Sequence, residues 1–198
     1  NVGGISPTMS LTRHVSFPNG VQGVVVSEVS KDTAMKDLFV DIGAQDKADA
    51  ETMVQIGDVC VYANDCFQLG ANRVASPAMD DRAACALLIR FLQTVGATKQ
   101  TIIAVFSVQE EVGCRGAKGA AFQQEPDIGI VLEGTTCNDL GDVPETAHVC
   151  EAGQGVAVSF MDGASIANRA LFRKALDVAK QENIPHQVKH SVSGGNDG

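Results

Sequence analysis

Tryptophan is absent from the 198-residue sequence, tyrosine occurs once, and aromatic residues make up 5% of the chain. Basic residues number 15 against 24 acidic ones, for a net charge of −9. The chain therefore lacks both the stacking surface and the positive footprint of a nucleic-acid binder. Divided at Val74/Ala75, both halves are acidic, and no Lys/Arg stripe runs through either. Long hydrophobic runs are also missing. The longest, such as Ile102–Phe106 and Ile128–Leu132, fall far short of the ~20 residues that cross a bilayer, so no membrane span is expected. No secretory signal is visible, and none of the six cysteines (Cys60, Cys66, Cys85, Cys114, Cys137, Cys150) has CxxC spacing. That usage favours buried thiols in a reducing cytoplasm over a disulfide scaffold. The four histidines (His14, His148, His186, His190) show no HxxxH or HxH pairing, and no serine sits in a Gly-x-Ser-x-Gly elbow. Gly113–Gly119 has the wrong spacing for a phosphate loop or a dinucleotide fingerprint. Its expected job is close packing at a helix start.

What is present is ordinary globular material, 44% apolar and 20% charged. The chain is long enough to fold without a disulfide or metal staple. Its first third reads as short strands: Val21–Val26 after the Pro18-Asn19-Gly20 turn, Leu38–Ile42, Asp58–Tyr62 and Phe67–Val74, with a short helix over Asp46–Met53. Such spacing suggests a small barrel or sandwich. After Val74 the pattern changes. Helices are expected over Arg82–Gln93, over Cys114–Gln123, and from a Ser165 cap to about Asn183. Between them lie near-continuous apolar runs, Thr101–Val108 and Asp127–Leu132, and then Gln154–Phe160, the mark of strands covered on both faces. Helices alternating with buried strands give an α/β layer structure. Two domains follow: residues 1–74, β-rich, and residues 75–198, α/β.

In open α/β sheets, functional groups gather beyond the carboxyl ends of strands. Thr101–Val108 is followed by Gln109-Glu110-Glu111-Val112-Gly113, and Asp127–Leu132 by Glu133-Gly134-Thr135-Thr136. Met79-Asp80-Asp81-Arg82 precedes the first helix. Three element ends thus deliver carboxylates to one expected rim. Carboxylates packed together repel, and a divalent cation with hard oxygen ligands resolves that conflict. The adjacent pair Glu110-Glu111 leaves the strand in two directions, so one can ligate while its neighbour acts as general base. An Asp-Asp-Arg helix cap and a solvated Glu-Glu at a strand end are the bland alternatives.

Val108-Gln109-Glu110-Glu111-Val112-Gly113-Cys114-Arg115-Gly116-Ala117 resembles the signature of the glutamyl, deblocking and tetrahedral aminopeptidase family, some members of which have carried the name endoglucanase. Ala78-Met79-Asp80-Asp81-Arg82 resembles that family's Asp-Asp-Arg motif. Ile130–Thr136 and Gly194-Gly195-Asn196-Asp197 follow in matching order, and Phe39–Ala44 is similar to a stretch of its inserted β-domain. The resemblance implies a three-layer, mixed-sheet α/β metallopeptidase core with a small β-barrel-like inserted domain. It implies two divalent ions, zinc or cobalt, and release of amino-terminal residues from peptides. Carried over by position, Asp80 would bridge the two metals, Glu111 would ligate one and Glu133 the other, and Glu110 would be the general base. The Asp80–Asp81 bond is a candidate cis peptide. A homo-oligomer, from dimer to dodecamer, and a cytoplasmic location are further implications.

The family's His-x-Asp element and its final His have no counterpart in these residues, and Asn196 stands where Thr is expected. The resemblance therefore reads as an interior fragment of a longer, incomplete core, inactive alone, with its imidazole ligands supplied from elsewhere. Two other functions remain open at this level: a truncated copy acting only in assembly, and a metal-dependent deacylase of small amides.

Overall fold

A computed structural model describes residues 5–29 and 32–198. The chain divides into two compact units, one reaching Ala78 and the other spanning Met79–Gly198.

The first unit opens with a short helix α1 (Pro7–Ser10), whose Ser6 cap accepts from Met9 N. Strands β1 (His14–Ser16) and β2 (Gln22–Ser27) form an antiparallel hairpin with Val15 opposite Gly23. The Pro-Asn-Gly signal closes it: Phe17 N donates to Val21 O and Gly20 N to Phe17 O, with Gly20 at φ +91°. Gly23 is needed for close approach, because a Cβ there would lie 2.9 Å from Asp41 O on the next strand. That strand, β3 (Leu38–Asp41), pairs antiparallel with β2, Val25 opposite Val40. Helix α2 (Lys47–Met53) starts at Asp46, whose carboxylate accepts from Asp49 N. Strand β4 (Val61–Tyr62) then pairs with β1 to give the sheet order β3-β2-β1-β4. Val15 and Val25, 2% and 7% exposed, are its buried apolar centre.

Among the described residues this sheet stays open, and no closed barrel forms. The expected strand Asp58–Tyr62 is cut to two residues, because Gly57 turns at φ +103° and Asp58 N bonds back to Gln55 O. So short an edge strand offers no ladder to a further neighbour. The expected strand Phe67–Val74 instead folds on itself as β5 (Phe67–Leu69) and β6 (Arg73–Ala75), a separate hairpin turning at Gly70.

The second unit carries helices α3 (Met79–Thr94), α4 (Arg115–Gln124) and α5 (Arg169–Gln181). Asn168 rather than Ser165 caps α5, accepting from Ala170 N and Leu171 N. Phe172 of α5 meets Phe160 edge to face at 5.2 Å between ring centres. One strand ladder is formed among the described residues of this unit. It is parallel, between β7 (Val156–Val158) and β8 (His186–Val188), with Val156 opposite His186.

The two runs expected as buried strands differ from that expectation. Thr101–Val108 and Asp127–Leu132 are not in any ladder, and their apolar side chains face outward, Ile102 at 43% and Ile130 at 82% exposure. A strand needs a neighbour for its N–H and C=O groups and a layer on each face. Neither run has such a neighbour among the described residues, so the three-layer sheet is not assembled by them.

Candidate active site

The Asp-Asp-Arg motif lies where α3 begins. Asp80 and Asp81 depart from helical backbone (φ −87°, ψ 108° and φ −122°, ψ 56°), and the peptide between them is cis. Asp81 Oδ1 accepts from Ala84 N at 2.9 Å, so one aspartate caps the regular helix while the other is released from it.

The Glu-Glu pair lies in a 3₁₀ turn, Glu110–Val112, at the end of the first apolar run. Left-handed backbone brackets that turn, at Gln109 (φ +62°), Gly113 (φ +112°) and Cys114 (φ +52°). For Gln109 and Cys114 this conformation is sterically unfavourable, and residues so held cluster at functional sites. Both Gly113 N and Cys114 N donate to Glu110 O at 2.9 Å. The glycine-rich stretch then packs against the run: Gly116 N donates to Val108 O at 3.0 Å. A Cβ on Gly116 would run into the Val108 backbone, 2.6 Å from its nitrogen. Gly116→Ala is therefore expected to displace the Val108–Glu111 segment and lower Tm by several degrees. A thermal melt checks this, with Gly119→Ala as control, since nothing lies within 4 Å of a Cβ there.

Glu133 and Gly134 follow the second apolar run. A Cβ on Gly134 would lie 3.6 Å from the Asp80 carboxyl, so this backbone passes close beside that side chain. From the other side come Gly194 and Gly195. Their loop is tied down by Asp162, 8% exposed, which accepts from Ala164 N, Ser165 N, Ser165 Oγ and Asn196 Nδ2 at 2.6–2.9 Å. Burial works against charge on Asp162, but the Ala164 and Ser165 donors and the Lys189 charge outweigh it and hold its carboxyl below the usual range. Gly163 N donates to Gly194 O at 2.7 Å, completing the clasp.

Together these elements surround a cavity of about 400 Å³ lined by Asp80, Glu110, Glu111 and Glu133, with Cys114 and the glycines between them. All four residues singled out from the sequence thus reach one cavity. Oxygens of Asp80, Asp81 and Glu133 lie within 4.8 Å of one another, a hard donor set suited to a divalent cation. Glu111 lines the cavity without joining that trio. Asp81, expected from the sequence among the rim carboxylates but given no ligand role there, is the third member of the trio. The sequence reading missed Cys114, which donates through its thiol to Glu110 Oε1 at 3.6 Å and to Asn196 O at 3.4 Å. Among the described residues no histidine lines the cavity. His148 and His186 bond to backbone oxygens of Val143 and Ile184 instead.

The electrostatics show that the carboxylates are in conflict. Glu133 is raised to about 7, first by burial, then by the Asp81 charge, a hydrogen bond with Asp80, and the Asp80 and Glu110 charges. The sign of the consequence is fixed by linkage. Between the ordinary 4.5 and about 7, the folded chain binds a proton that the unfolded chain has lost. Stability therefore falls as pH rises through that window. Metal-free protein is expected to melt at a lower temperature at pH 8 than at pH 5.5 on this account. A divalent ion should remove the deficit by replacing the proton, and Glu133→Gln should flatten the dependence. Melting curves at the two pH values, with and without zinc, check it.

A family description reading "M42 glutamyl aminopeptidase" matches residues 1–198. A protein of Acetivibrio thermocellus bearing an aminopeptidase name is 37% identical over 202 residues, covering 99% of this chain and 60% of that protein. The lysyl aminopeptidase of Pyrococcus furiosus is 32% identical, with 96% and 58% covered. Among solved structures, the aminopeptidase APDkam598 of Desulfurococcus kamchatkensis superposes with a TM-score of 0.93 at 28% identity, over 99% of this chain and 58% of that one. PhTET1-12s, whose structure holds a dodecamer, gives 0.80 at 29% identity, over 99% and 61%. The chain thus spans about three fifths of the length of these proteins.

Proposed function

The chain belongs to the M42 glutamyl aminopeptidase family, and from that premise we propose that the whole protein is a metal-dependent aminopeptidase acting on peptide amino termini. The observation that carries this reading is the convergence of Asp80, Glu110, Glu111 and Glu133 on one cavity, with a carboxylate trio too crowded to remain fully charged without a cation. The donors are hard oxygens, which suits a divalent ion, and below about pH 7 Glu133 carries a proton that a cation would replace.

Asp80, Glu111 and Glu133 would hold two such ions, zinc or cobalt. When bound, these ions supply Lewis acidity and lower the pKa of water. The remaining chemistry belongs to this chain. Glu110 takes the proton of the attacking water and returns it to the departing amine. The Cys114 thiol donates to Glu110 and fixes which carboxylate oxygen stays available for that proton. The Gly194-Gly195 backbone, clasped by Asp162, forms a wall without side chains along which an extended peptide can lie.

We also assign the two unpaired apolar runs to a sheet completed by parts of the longer protein, in keeping with relatives that extend well beyond the matched region. Assembly as a homo-oligomer is part of the same reading, supported by the dodecamer of PhTET1-12s. The test is a substrate panel on full-length protein. Release of chromophore from amino-acid anilides, abolished by chelator and restored by zinc or cobalt, is the expected result. Turnover of N-acylated amino acids alone would replace peptidase with small-amide deacylase.

A further inference from the structure

Away from the catalytic carboxylates, Cys137 and Cys150 lie thirteen positions apart with their sulfurs 3.5 Å from one another. Cys150 is 3% exposed, while Cys137 is only half-buried. Their backbones are already joined: Cys137 O accepts from Val149 N at 2.8 Å and from Cys150 N at 3.3 Å. Inside the intervening loop, Asn138 Nδ2 donates to Ala147 O at 2.9 Å, which holds the two ends together. Beyond it, Ala152 N donates to Asp139 Oδ2 at 2.7 Å. The other four cysteines form no such pair. Cys66 and Cys85 are exposed, Cys60 is half-buried, and Cys114 is engaged with Glu110.

We propose that Cys137 and Cys150 are a site of reversible oxidation, forming a disulfide that closes the loop following Glu133 and Gly134. A disulfide needs sulfurs about 2 Å apart on Cα atoms about 4.4–6.8 Å apart. The backbone bonds between the two residues already bring the main chains together, so closure asks for side-chain rotation rather than backbone travel. The oxidant is a low-molecular-weight disulfide such as oxidised glutathione. The half-buried Cys137 thiolate attacks one of its sulfurs, forming a mixed disulfide and expelling one glutathione thiolate. Cys150 then attacks the Cys137 sulfur and expels the second glutathione. Two protein thiols and one glutathione disulfide become one protein disulfide and two glutathione thiols, so atoms and electrons balance. Burial, the thiol contact with Cys137 and the nearby Asp139 charge push the Cys150 thiol up to about 11, which leaves the first attack to Cys137.

The test uses reduced full-length protein equilibrated with graded ratios of oxidised to reduced glutathione, then denatured, alkylated, digested and mapped by mass. The expected result is a linkage between the Cys137 and Cys150 peptides, reversed by dithiothreitol, at ratios where Cys66 and Cys85 carry at most single glutathione adducts. Oxidised protein should also melt several degrees higher than reduced protein. Cys137→Ser should abolish both the linkage and the Tm gain, and it leaves buried Cys150 in its native packing. Recovery of both cysteines alkylated while exposed ones are glutathionylated would overturn the proposal. So would separate glutathione adducts on Cys137 and Cys150.

Discussion

Replacing Glu110 by glutamine is expected to lower kcat for anilide hydrolysis by about 10²–10⁴-fold while leaving metal affinity close to that of the unaltered protein. Glutamine keeps the shape of glutamate and loses the ability to accept a proton. Glu110 lines the cavity with one carboxylate oxygen held by the Cys114 thiol. Its 3₁₀ turn is held by backbone bonds from Gly113 and Cys114, which the substitution leaves intact. The loss should therefore fall on turnover rather than on folding or KM. Glu111→Gln is the companion, because its loss should instead be partly recovered at higher metal concentration. Equal loss of metal from both variants would erase the proposed division of labour within the pair.

Asp80→Ala is the second large effect, and it acts in two directions. Metal binding should weaken by at least about 100-fold, more than the 10–100-fold typical of residues that only support a ligand. Activity should fall with it. The metal-free variant should nevertheless be more stable than metal-free parent protein at pH 8. Asp80 is one of the causes that raise Glu133 to about 7, through a hydrogen bond and through its charge, and removing it relieves part of that conflict. Gain of apo stability with loss of function is the signature of carboxylates gathered for a ligand rather than for packing. Asp81 combines that charge conflict with a cap, since it also accepts from Ala84 N. Asp81→Ala should therefore gain less apo stability than Asp80→Ala, because lost capping of α3 costs about 1 kcal/mol. Urea titrations of the two variants without metal separate these outcomes.

Local chemistry was the most readable part of the sequence. The Pro18-Asn19-Gly20 turn, the strand after it and the Asp46-capped helix follow from backbone geometry alone, which is set within a few residues. The gathering of Asp80, Glu110, Glu111 and Glu133 was legible because each motif ends an apolar run or starts a helix. What could not be read was long-range pairing. Thr101–Val108 and Asp127–Leu132 have the composition of strands covered on two faces, but composition states what a segment can bury and not which segment arrives to cover it. The α5 cap moved from Ser165 to Asn168 for a local reason: Ser165 N and Oγ are both committed to the Asp162 carboxylate. The barrel expectation is not confirmed among the described residues, where a turn at Gly57 leaves only Val61–Tyr62 for the edge strand.

The most direct test of a cation-centred cavity is calorimetric titration of zinc or cobalt into chelator-treated full-length protein at pH 8. Two bound equivalents, and uptake weakened at least about 100-fold in Asp80→Ala, are the predicted result. Absence of metal uptake by protein that hydrolyses anilides at full rate in chelator would contradict the account.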